Sequence, residues 1–174
     1  AILRTCMKEG PLALANPTDY TCRANIMWAG TLAHNDLTGC GTTGDWATHN
    51  IEHELSGLFD VSHGAGLAAV WGSWARYTRN ENLPRFARFA HNVMGIDTTN
   101  MSDMEASEAG IKAMEQFFRS IGMPTDIHTL VGKDITDAEI EEMAQKCTNG
   151  DTTTIGGLKI LHAADIVKIY QMAK

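Results

Sequence analysis

A chain of 174 residues is long enough for one domain with a real hydrophobic core. Hydrophobic residues at 44% and charged residues at 20% exclude a disordered chain. A formal net charge of −7 argues against nucleic acid and anionic membranes as partners, and no apolar run approaches the roughly 20 residues that span a bilayer.

The chain starts Ala1-Ile2-Leu3-Arg4-Thr5-Cys6-Met7, a pattern with no N-cap and no signal-peptide character. It reads as a helix entered midway, with residues upstream removed. Ile2, Leu3, Cys6 and Met7 keep a helical period over residues 1–14. Asn16 and Pro17 read as the cap and first residue of a long helix from about Thr18 to Leu37. Three glycines between Thr38 and Gly44 predict a loop. A short helix from about Asp45 to Ser56 follows, then a break at Gly57–Ser62, then a buried helix from His63 to Tyr77. Pro84 opens a helix ending near Gly95. Ser102-x-x-Glu105 and Thr136-x-x-Glu139 are capping boxes that open two more. A Thr-rich loop at 150–157 precedes a last amphipathic helix, Ala163 to Met172. No alternating run is long enough for a sheet, so the expected architecture is an all-α multi-helix bundle over residues 1–174.

The chemistry concentrates between positions 46 and 64. His49 and His53 are four apart and share one helical face. His63 follows His49 by fourteen residues, about 21 Å along a straight helix and too far to share an ion. A turn after Gly57 would fold the chain back and set His63 at the start of the next helix, beside His49. Imidazoles so placed suit zinc or ferrous iron. His91, His128 and His162 stand alone. The four cysteines form no C-x-x-C pair, so they read as small buried hydrophobes rather than zinc ligands. Unpaired Cys with nine Met suits a reducing cytoplasm.

Two other motifs overlap this segment. His49-Asn50-Ile51-Glu52-His53 fits H-x-x-E-H, in which two His bind zinc and Glu52 activates water for peptide hydrolysis. That reading also needs a third ligand and an edge strand. Gly64-Ala65-Gly66-Leu67-Ala68-Ala69 fits a loose dinucleotide fingerprint, but no strand precedes it; close packing at a helix start explains it better. A helical structural domain without chemistry is the remaining alternative.

Gly10-Pro11-x-Ala13-Leu14, Arg23-Ala24-Asn25-x-Met27-Trp28-Ala29, Gly44-Asp45-Trp46-Ala47-Thr48-His49, His53-Glu54-Leu55, His63-Gly64 and the ending Ala163-Ala164-Asp165-Ile166-Val167-x-Ile169-Tyr170 together give a family resemblance. The chain resembles the C-terminal, helical, metal-binding half of the iron-containing alcohol dehydrogenases, nearest their NAD(P)H-dependent butanol dehydrogenase branch. The resemblance implies that His49 and His63 are metal ligands for Fe2+, or for Zn2+ or another divalent ion. It implies that His53 faces nicotinamide and substrate without binding the metal. An Asp and a further His on a helix before Ala1 would complete the ligand set, and an N-terminal Rossmann-like domain would bind NAD(P)H. Reversible hydride transfer between a primary alcohol or aldehyde and NAD(P), in a cytoplasmic homo-oligomer (a dimer), is the implied activity. This chain alone is expected to be inactive. Trp46 and Phe59 are candidate walls of an apolar pocket, and core packing explains them equally well.

Overall fold

The computed structural model describes residues 1–174. Nine α-helices follow in order: α1 (Ile2–Ala15), α2 (Tyr20–His34), α3 (Ala47–Phe59), α4 (His63–Thr78), α5 (Leu83–Asn92), α6 (Asp103–Ser120), α7 (Ile127–Val131), α8 (Asp137–Cys147) and α9 (Ala163–Ala173). There is no sheet; one isolated bridge joins Ile155 and Leu161. No helix is long and apolar enough to cross a membrane.

Most helix ends obey the sequence signals. Both capping boxes form, with the Ser102 and Thr136 side chains accepting from the N–H groups of Glu105 and Glu139. The start of α2 differs from expectation. Asn16 closes α1 rather than opening α2, and Asp19 is the N-cap, accepting from the Cys22 N–H at 2.9 Å. A carboxylate two residues past Pro17 takes the free N–H groups. Gly57 does not break α3, which runs on to Phe59; the reversal falls on Asp60, in the left-handed region at φ 53°. The five-residue α7 escaped the sequence reading because one and a half turns give no detectable period.

One core holds α3, α4, α7, α8 and α9 together. Ile51, Leu55, Val70, Ile140, Met143, Ile166, Ile169 and Tyr170 are its centre. Tyr170 is fully buried, and its hydroxyl donates to the Ile51 carbonyl at 2.6 Å. That bond satisfies a polar atom that burial would otherwise penalise, and it ties the last helix to the one carrying His49 and His53. On the other side, α6 packs against both α4 and α5. Gly110 meets Ala90 so closely that an added Cβ would stand 2.8 Å from the alanine methyl. Arg76 of α4 donates to Glu108 and Glu115 of α6. The α1 and α2 helices pair with each other at the near end of the chain.

Candidate metal centre

The first turns of α3 put His49 and His53 on one face, one turn apart. Asp60 then reverses the chain, its N–H donating to the Ser56 carbonyl at 3.0 Å. Val61 and Ser62 lead into α4, whose first residue is His63. The expected fold-back therefore occurs, over three residues instead of six. It brings three imidazoles together. Ring centroids are 5.4 Å apart for His49 and His63, 5.3 Å for His53 and His63, and 6.5 Å for His49 and His53. Two imidazoles bound to one ion at about 2.1 Å have centroids roughly 5 Å apart, so both pairs involving His63 fall within reach of one cation.

Burial separates the two α3 histidines. His53 is exposed, whereas His49 is half-buried and its Nδ1 is fully buried with no hydrogen-bond partner. Burial lowers the pKa of His49, and the neighbouring His63 and His53 lower it further. A neutral imidazole with an unsatisfied nitrogen is a good donor to a divalent cation. The edge of Trp46 lies against its ring, centroid to centroid 4.8 Å. The residues present thus fit a borderline metal such as iron or zinc.

Glu52 lies beneath these rings. It is completely buried, and its two carboxylate oxygens accept from the Ser56 hydroxyl and from Nδ1–H of His63. Donor atoms of Glu52, His53 and His63 lie within 4.8 Å of one another. Even so, Glu52 is poorly placed as a ligand, because both oxygens are already engaged. The same engagement removes support for the peptidase motif: both Glu52 oxygens are taken by Ser56 and His63, and no strand offers a substrate edge. The glycine fingerprint is likewise a helix start. Gly64 faces open space, while Gly66 passes so close to Glu52 that a Cβ there would lie 2.5 Å from Oε1.

The lone histidines make local bonds. His91 donates to the Ile96 carbonyl at 3.2 Å, His128 to Asp134 at 2.8 Å and His162 to Asp151 at 3.3 Å. None approaches the cluster.

Beside His49 opens a cavity of about 1100 Å³, with Trp46, Trp71, Trp74, Phe86 and Phe89 in its wall. Trp46 lines it as expected. Phe59 does not; it packs against the core, with the Lys133 ammonium 5.2 Å from its ring centre. Phe59 is the last residue of α3, and the helix end carries it to the side facing α7 and α8. Four of the wall residues escaped the sequence reading. Their signal was the three-residue spacing of Trp71 with Trp74 and of Phe86 with Phe89, one stripe on each of two adjacent helices. Asp45 supports the rim: its carboxylate accepts from the N–H groups of Ala47, Gly157 and Leu158.

Residues 1–174 match the family described as Fe-containing alcohol dehydrogenase, C-terminal. The chain is 38% identical over 173 residues to NADH-dependent butanol dehydrogenase A of Clostridium acetobutylicum, covering 98% of this chain and 43% of that protein. It is 37% identical over 169 residues to an NADPH-dependent aldehyde reductase of Escherichia coli, covering 94% of this chain and 43% of that protein. Among solved structures, NADH-dependent butanol dehydrogenase A of Thermotoga maritima superposes with a TM-score of 0.89 at 30% identity, over 99% of this chain and 44% of that one. The chain therefore spans less than half the length of the relatives it matches.

Proposed function

Since the chain belongs to the iron-containing alcohol dehydrogenase family, as its C-terminal helical part, we propose that His49 and His63 are two of the ligands of a catalytic divalent cation in an NAD(P)H-dependent alcohol dehydrogenase or aldehyde reductase. The observation that carries this is the convergence of the two rings, 5.4 Å apart at their centroids, across the Asp60 turn. The orphaned, buried Nδ1 of His49 supports it. The cation is Fe2+ by family and Zn2+ by the same donor chemistry, and the remaining ligands come from outside these residues.

When bound, such a cation supplies Lewis acidity toward an alcohol or carbonyl oxygen. The protein's own residues do the rest. His49 and His63 fix the place where that oxygen must come. His53, exposed and beside both, is positioned to donate a hydrogen bond to a substrate oxygen or to pass a proton to solvent. The aromatic cavity next to His49 takes the apolar tail of a small alcohol or aldehyde and excludes water from it. The nicotinamide is bound by a nucleotide domain outside this all-helical segment, which has no strand to carry a phosphate loop. A cytoplasmic dimer of the intact enzyme belongs to the same reading.

The test is metal content. In the intact protein, His49→Ala and His63→Ala are expected to lose bound metal and turnover together. His53→Ala is expected to keep most of its metal and lose turnover. Equal metal retention in all three, by elemental analysis, would overturn the proposal.

A further inference from the structure

The geometry points to Glu52 as a positioning residue, which fixes the ring of His63 so that its Nε2 faces the cation. This rests on the assignment of His63 as a ligand. Glu52 is fully buried, whereas the His63 ring is 48% exposed and would otherwise rotate freely. The carboxylate accepts from Nδ1–H of His63, which selects one tautomer and leaves Nε2 as the lone-pair nitrogen on the open side. The carboxylate is itself held. The Ser56 hydroxyl binds its other oxygen and also lies 3.2 Å from the Val61 carbonyl, inside the turn that separates the two helices. Gly66, one turn into α4, leaves the volume the carboxylate fills; a Cβ there would stand 2.5 Å from Oε1 and 2.6 Å from Cγ. Ser56, Gly66 and the Asp60 turn therefore build a seat for one buried carboxylate, and what that carboxylate grips is an otherwise mobile imidazole.

A buried carboxylate used only for packing would be replaceable by an apolar residue of similar volume at little cost to the fold. A positioning carboxylate predicts a split. In the intact protein, Glu52→Leu is expected to leave the metal-free melting temperature unchanged or higher and to weaken zinc or ferrous binding by about 10- to 100-fold, read by competition with a chelator. Glu52→Gln keeps an acceptor toward His63 and is expected to lose less affinity than Glu52→Leu. Gly66→Ala keeps the carboxylate but displaces it, and is expected to weaken metal binding as well. If Glu52→Leu does not fold, the Gln and Ala variants carry the test. Unchanged affinity in Glu52→Leu and Gly66→Ala, or in Glu52→Gln and Gly66→Ala if the Leu variant does not fold, while His63→Ala loses its metal, overturns the role of Glu52 and spares the site. A metal-free melting temperature that falls in step with affinity in Glu52→Leu makes the residue structural and overturns it too. Full metal retention in His63→Ala sinks the site itself.

Discussion

The three imidazoles illustrate how much a single side chain's surroundings decide. His49 has a lowered pKa because it is buried, and because the imidazoles of His63, His53 and His34 would meet its charge. The unfolded chain, with an ordinary imidazole, binds protons at a pH where folded His49 does not. Stability of the metal-free protein should therefore fall as pH drops from about 6.5. The expected outcome is a urea midpoint that drops more between pH 7.5 and pH 5 in the parent than in His49→Asn. An identical drop in both would show that His49 does not contribute. The cysteines obey the same logic with the opposite sign. Burial pushes Cys147 up to about 12 and Cys22, beside Glu9, up to about 11, whereas Cys40 lies exposed in the glycine loop. Only thiolates alkylate rapidly, so iodoacetamide at pH 8 should label Cys40 well before Cys22 or Cys147, as peptide mass mapping would record.

Helices place these residues, and two contacts set how the helices meet. Gly110 lets α6 approach α5 to within a Cβ of Ala90. Gly110→Val would force the pair apart, at a cost of about 2 kcal/mol, visible as a lower urea midpoint. Arg76 of α4 bridges two carboxylates of α6 that are only partly exposed. Removing it in Arg76→Leu leaves Glu115 without a cation while Glu108 keeps Arg79, and hydrogen bonds to charged groups contribute about 2 kcal/mol. A loss well below 1 kcal/mol would mean that solvent already screens the pair. Most of these helices were readable from their caps and periods: Ser102-x-x-Glu105 and Thr136-x-x-Glu139 each opened a helix where expected. Where the reading slipped, local chemistry was ambiguous. Asn16 and Asp19 are both good caps, and Asn16 is taken up as the C-cap of α1, which leaves Asp19 to open α2. Gly57 looked like a break, yet a glycine in mid-helix costs only about 1 kcal/mol, which the burial of Leu55 and Ile51 offsets.

At the scale of the whole molecule, segments distant in sequence close the site. Asp45 ties the rim of the aromatic cavity to Gly157 and Leu158, more than a hundred residues later. Asp45→Ala should free both segments, raising hydrogen exchange at Ala47, Gly157 and Leu158 while leaving α9 protected. The 174-residue segment holds imidazoles and a cavity but no nucleotide fold. On the proposed reading, these residues by themselves should leave NAD(P)H fluorescence unchanged, while the intact protein should alter it.

The helical class, the ends of most elements and the clustering of His49, His53 and His63 followed from the sequence, because periodicity, caps and spacing are local properties of the chain. Convergence of those rings required a turn, and the sequence located that turn only to within a few residues. Which acid lies under His63, which aromatic residues face the cavity and which do not, were settled by tertiary packing. Glu52 fitted a water-activating base only within the disfavoured peptidase motif, and Phe59 fitted a pocket wall and the core equally. The direction a side chain takes at a helix end, and the company a buried charge finds, depend on neighbours from other helices that no local pattern encodes.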